Sequence, residues 1–189
     1  IIDDDTPPPA WARFSWGRLI GYSAAGLALW GGAMALLAAQ GGWQGTFTQM
    51  GWFFSKAALL TFGGAYAVLP YVYQGGVEHY GWLTGLQMID GLALGETTPG
   101  PLIMVVAFVG FVGGWTKQVF GPEALALAGI AGGCVAAFFT FLPSFLFVGL
   151  LTRIMPYLRQ SQWSAAFLDG VNATSLALMA GVTLTLGMA

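Results

Sequence analysis

Residues 91–110 read GLALGETTPGPLIMVVAFVG, with a glutamate, two threonines and a Pro-Gly-Pro set into otherwise continuous hydrocarbon. Inside a helix, proline loses a backbone hydrogen bond and clashes with the preceding turn, whereas in a first turn its missing N–H costs nothing. The stretch therefore predicts two helices with a break between them. One stops near Glu96, and the other starts with Thr97 or Thr98 as N-cap and Pro99 or Pro101 in its first turn.

Composition fixes the medium in which this break sits. Of the 189 residues, 57% are hydrophobic and only 7% charged, and the mean hydropathy is +0.72. A soluble domain carries about 25% charged residues. The chain uses lipid as its solvent, and at about 20 residues per crossing it holds a handful of crossings. The expected fold is an all-α polytopic membrane protein. A formal charge of −2 gives no footprint for nucleic acid, and Asp3, Asp4 and Asp5 account for much of the acidity. Cys134 and His79 are the single cysteine and the single histidine, so no disulfide within the chain and no Cys/His metal site is expected. Residues 1–18 are acidic and proline-rich and read as a linker, with one transmembrane domain over 19–189. Neither end looks like a natural terminus, since the chain opens on Ile1 and GVTLTLGMA stops inside an apolar run.

Residues 19–39, LIGYSAAGLALWGGAMALLAA, form an uncharged span preceded by Arg13 and Arg18, with Trp11 and Trp16 at interface depth. Residues 47–62, FTQMGWFFSKAALLTF, are short for a crossing and run into Gly63-Gly64 and then AYAVLPYVY, which reads as two half-helices joined at a glycine hinge. Residues 83–116 repeat that plan around TTPGP. A long apolar segment over 122–152 is expected to bend at Pro143, and a last one covers 163–189. The chain shows no low-complexity tract and no internal repeat.

Cytoplasmic loops carry the excess of Lys and Arg. Placing Arg13 and Arg18 inside also places Arg153 and Arg159 inside, and leaves only Lys117 in an outside loop. This holds for five crossings, or for three if both broken segments are re-entrant. An odd count suits one half of an inverted repeat, because a homologous copy fused to such a unit would start on the opposite face.

The breaks are where function can be argued. An unsatisfied backbone group in hydrocarbon costs several kcal/mol, so non-helical backbone at membrane depth implies a cavity lined by protein or water. New helices starting at Ala65 and near Pro101 offer free N–H donors and a partial positive charge, which together suit an anion. Gly63, Gly64 and Gly100 let an anion approach the backbone, while Thr61, Tyr66, Thr97 and Thr98 carry hydroxyls. Simple kinks and close helix packing are the competing explanation. The GxxxG pairs Gly91/Gly95, Gly110/Gly114 and Gly129/Gly133 fit packing and carry no functional weight in a chain with 29 glycines.

Ionisable residues within apolar segments are costly and tend to be functional, and here they are Lys56, Asp90 and Glu96. Lys56 either balances anion charge or snorkels to an interface. Asp90 and Glu96 lie about 120° apart on a helix and do not form a pair. An ionised Glu96 would repel an anion, whereas burial favours a neutral carboxyl, so Glu96 is a candidate for proton coupling or gating. The competing role is to cap the following half-helix.

The stretches FFSKAALLTFGGAYAVLPYV (53–72) and VEHYGWLTGLQMIDGLALGETTPGPLIMVVAFVGF (77–111) closely resemble the chromate ion transporter family, in particular its C-terminal half. The resemblance rests on Phe62-Gly63-Gly64 and Pro99-Gly100-Pro101, their order and the Val-Glu-His-Tyr-Gly-Trp-Leu between them, and it covers roughly residues 50–150. It implies a secondary transporter that carries chromate, with sulfate as the look-alike ion, out across the bacterial inner membrane. It also implies a permeation path at Gly63, Gly64, Pro99, Gly100 and Pro101, and a second homologous half or protomer. The chain has one FGG and one PGP, where long members carry two halves. No enzyme and no cofactor is expected. An intramembrane hydrolase would have only His79 and Ser144 to work with, and a structural or assembly subunit is the alternative without transport.

Overall fold

The computed structural model describes residues 15–60, 68–98, 101–160, 166–167 and 170–179, and for 101–102 and 155–160 the backbone alone. Among these residues every regular element is helical: α1 Trp16–Gly41, α2 Thr46–Leu60, α3 Val68–Tyr73, α4 Gly85–Glu96, α5 Pro101–Thr116, α6 Leu125–Gln160 and α7 over 170–179. A π-helical turn, Gln74–His79, prolongs α3, and a 3₁₀ turn, Pro122–Ala124, leads into α6. The protein is an all-α membrane protein, and the helices over Trp16–Gly41 and Pro122–Ile154 are long and apolar enough to cross a bilayer.

The described residues fall into two compact units, one of Ser23–Phe147 and one drawn from residues 1–22 and 148–189. In the smaller unit the Arg153 guanidinium lies 4.4 Å from the centre of the Tyr22 ring. Arg153 also donates to the Gly149 carbonyl at 3.1 Å. These contacts tie the start of α1 to the late turns of α6. α1 begins at Trp16, inside the stretch expected to be linker.

The larger unit holds the core, a cluster that includes Met50, Phe53, Phe54, Val72, Trp82, Met88, Val106, Val109 and Phe139. A seam of small residues joins α5 to α6. A Cβ on Gly110 would meet the Gly132 carbonyl, one on Gly114 the Ala128 carbonyl, and one on Gly132 the Gly110 carbonyl. Partner numbers fall on α6 as they rise on α5, so the two helices run antiparallel with backbones nearly touching. The Gly110/Gly114 spacing set aside in the sequence is thus a packing surface, and Gly129 belongs to it through Phe111.

α6 runs without interruption through the buried Pro143. Thr140 donates to the Ala136 carbonyl at 2.7 Å one turn earlier. The stretch QGGVEH continues the helix as the π turn. Its glycines explain why, because Gly75 packs under the Phe53 ring and Gly76 against Leu83 and Val109, where larger residues would not fit.

Candidate functional site

α2 and α3 do not form one crossing. An unbroken helix would hold Phe53 and Tyr71 about 27 Å apart, yet their rings stack at 4.7 Å and 5°. The chain has turned back between Leu60 and Val68, around the FGG motif. α4 and α5 do the same around the PGP motif. Gly91 faces Phe108, while Trp82, just before α4, faces Gly113, so the two arms are antiparallel. α4 has 12 residues and α5 has 16, about 18 and 24 Å long, each short of a hydrocarbon core of about 30 Å. In each pair the two described helices are therefore folded back on one another, and in sequence the FGG and PGP motifs fall between them.

The hairpins share one base. Trp82 is fully buried there, stacked on Tyr80 at 4.5 Å and 6° and set edge-on to Phe53 at 5.5 Å. A Cβ on Gly113 would meet Met50 and Trp82, bringing α2 and α5 to that level. The entry to α4 is fixed by a capping box, in which the Thr84 N–H donates to Gln87 Oε1 at 2.8 Å and the Gln87 N–H donates to Thr84 Oγ1 at 3.3 Å. Thr84-Gly-Leu-Gln87 announces this in the sequence, since Thr-x-x-Gln before an apolar run is a capping-box pattern, and it went unused. The connections between elements gather at this end too, because Phe47 meets Phe120 edge-on at 5.6 Å and a Cβ on Gly81 would lie 3.9 Å from Lys117 Nζ.

At the turns the picture differs. α5 opens at Pro101, a first-turn proline as expected, and α4 closes at Glu96. Thr97 and Thr98 do not cap α5. Their hydroxyls donate backwards to the Leu94 carbonyl, at 3.0 and 2.5 Å, and Thr97 is the C-cap of α4. With its proton committed to Leu94, neither hydroxyl donates to an anion in this arrangement, and the donors left at this turn are the N–H groups that open α5. Glu96 is exposed, as are Asp90, Leu86, Ile89 and Leu94 on the same helix. Lys56 is exposed, and its ammonium lies 5.5 Å from the centre of the Trp52 ring, one turn earlier on α2 and away from the FGG turn. Thr61, Gly63, Gly64, Ala65 and Tyr66 of the first turn, and Pro99 and Gly100 of the second, lie outside the described residues. Among the described residues no group of His, Cys, Asp and Glu could hold a metal ion. Cys134 is a free, exposed thiol on α6.

Residues 48–189 match the chromate transporter family. The chain belongs to that family. It is 33% identical over 179 residues to a chromate transport protein of Cupriavidus metallidurans, covering 95% of this chain and 39% of that protein. It is 37% identical over 131 residues to a chromate transport protein of Pseudomonas aeruginosa, covering 69% of this chain and 28% of that one. An uncharacterized transporter of Bacillus subtilis, YwrA, is 34% identical over 110 residues, covering 57% of this chain and 53% of YwrA. The chain spans about two-fifths or less of the chromate transport proteins that it matches. No solved structure matches it.

Proposed function

We propose that the chain is one half of a multi-pass inner-membrane transporter that exports chromate, with sulfate as a competing dianion. The observation that supports this reading is that α2 packs back on α3, and α4 on α5, with the FGG and PGP motifs between them in sequence. Measured along α5, Pro101 lies about 18 Å from the shared base at Gly113, little more than half of a core of about 30 Å. Hairpins of that depth enter and leave on one face, so α1, α6 and the last apolar segment, 163–189, supply three crossings. Arg18 and Arg153 then share the cytoplasmic side, and Lys117 is outside.

In this reading the oxyanion is held by backbone N–H groups where α5 begins and, by analogy, where the helix containing α3 begins, at Gly63, Gly64, Ala65 and Tyr66. Pro99, Gly100 and Pro101 shape the second turn so that the anion reaches the backbone. Glu96 beside that turn couples protons to transport or gates it, and Lys56, directed toward Trp52, serves as a distant balancing charge. Asp90 and Glu96 are both exposed among the described residues, and lipid accepts such carboxylates only at a cost of about 2.5 kcal/mol or more each. A second homologous half or protomer covers them, in keeping with the length of the relatives.

A dianion leaving an inside-negative cell gains about 4.6 kcal/mol per 100 mV, so export needs no ATP. Cells expressing the intact protein are expected to accumulate less radiolabelled chromate than cells without it, and to lose that difference on Gly100→Leu at unchanged protein abundance. Equal accumulation with and without the protein overturns the reading. Competition by sulfate in membrane vesicles measures the preference between the two dianions.

A further inference from the structure

Arg153 lies in the smaller unit on the late turns of α6, half-buried, with its guanidinium 4.4 Å from the centre of the Tyr22 ring and one N–H donating to the Gly149 carbonyl at 3.1 Å. From this setting we infer that Arg153, held by Tyr22, is a binding site for a tetrahedral oxyanion, either the phosphate of a lipid headgroup or a free dianion. None of its residues belongs to the site proposed above.

Packing fixes the arginine. A Cβ on Gly149 would overlap the Tyr22 ring and its hydroxyl, so glycine at this position is what lets the ring lie against α6. The ring then supports the guanidinium one turn further along. A ring face attracts the cation without supplying a counter-charge. A guanidinium carries five N–H donors and no acceptor. One is used on the Gly149 carbonyl, to which the Thr152 hydroxyl also donates at 3.0 Å, and Arg153 has no other hydrogen-bond partner among the described residues.

Charge and donors both select an anion. Arg18, Arg153 and Arg159 are among the described residues of this unit, and no Asp or Glu is. Arg18 lies one turn before Tyr22 on the same face of α1. A partly buried cation costs free energy when it lacks a counter-ion. An oxyanion accepts two parallel N–H bonds from a guanidinium and supplies the missing charge in the same contact. Depth says which oxyanions reach it. The apolar stretch Pro122–Ile154 has 33 residues, about 50 Å as a helix, longer than a hydrocarbon core of about 30 Å. Arg153, next to the end of that stretch, therefore stands at the level of lipid phosphates and of dissolved anions.

Calorimetry on the intact protein in maltoside detergent tests this with sodium sulfate and with dihexanoyl phosphatidylglycerol. Saturable binding of at least one is expected, weakened about tenfold in Arg153→Gln. Arg153→Lys keeps the charge but not the planar fork, and should recover only part of the affinity. Tyr22→Leu leaves the net charge unchanged and should weaken binding about fivefold, because the guanidinium loses its support. A lipid that displaces sulfate, or binds where sulfate does not, identifies a headgroup as the natural occupant. Sulfate binding that the lipid leaves unchanged identifies a free dianion. Each titration is repeated on Gly100→Leu, which removes the proposed transport site, and binding at Arg153 should survive there. Absence of binding by both probes, or full affinity in Arg153→Gln or in Tyr22→Leu, overturns the proposal whatever becomes of the transport reading. So does loss of all binding in Gly100→Leu.

Discussion

Trp82 and Glu96 stand at opposite ends of the same pair of helices, and their surroundings differ in kind. Trp82 is fully buried, stacked on Tyr80 and wedged against Phe53, Phe54 and Gly113. Glu96 is exposed, and the residues after it hydrogen-bond only backwards into their own helix. One end of the hairpins is anchored by packing that this chain completes alone. The other carries polar groups that are exposed among the described residues, which is how a scaffold differs from the place where a ligand or a partner acts.

The largest effects should come from breaking the anchored end. Gly132→Val puts a branched side chain against the Gly110 carbonyl, where neither backbone can retreat without parting α5 from α6. A loss of about 3 kcal/mol or more is expected, at the upper end of overpacking costs, read as a fall in thermal stability in detergent and in membrane-inserted protein. Trp82→Ala removes the ring on which both hairpin bases rest and should cost about 3–5 kcal/mol by the same readouts. If either variant kept wild-type stability, the base would not be the anchor described here.

Changes at the turns should reverse that signature. Gly100→Leu should abolish chromate export while the protein remains abundant and thermally stable. Glu96→Gln is predicted to keep its fold, since the Glu96 side chain is exposed. Its transport should lose its dependence on pH, changing by about tenfold at the pH of greatest difference, an ordinary size for coupling between two bound species. Transport that follows the wild-type pH profile would remove Glu96 from coupling and leave it a helix-end residue.

The sequence reading went furthest where local chemistry decides the outcome. Pro101 suits the first turn of a helix, Gly-rich and Pro-rich stretches interrupt hydrocarbon, and so the ends of α2, α4 and α5 fell close to where they were expected. It went astray where distant partners decide. Gln74–His79 looks like a polar loop until Phe53 and Val109 are known to lie over Gly75 and Gly76. Gly110 and Gly114 carry no more signal than any other pair among 29 glycines until Ala128 and Gly132 are set against them. Periodicity cannot tell a hairpin from a kinked crossing either, because both are short apolar helices around a break. Only contacts such as Gly91 with Phe108 show that the chain returns. Of the candidate site, the motifs and the carboxylates were legible, but the direction of the Thr97 and Thr98 hydroxyls was not, since a threonine between two helices can cap either one.

That direction gives the smallest predicted effect and the sharpest distinction. If Thr97 and Thr98 bound substrate, Thr97→Val and Thr98→Val would remove donors from the anion and slow transport severely. In the structure both protons go to the Leu94 carbonyl, which at a helix end has no partner from the following turn. Each hydroxyl then contributes at most about 1 kcal/mol to the end of α4, and less because both share one acceptor and either can replace the other. Each single variant is expected to transport within about twofold of wild type, and the double variant to lose more than the two singles combined predict. A tenfold loss in one single variant, with the other unaffected, would show instead that one hydroxyl turns away from Leu94 when the anion is bound. The open end of the hairpin would then rearrange around its ligand, while the base at Trp82 stays fixed.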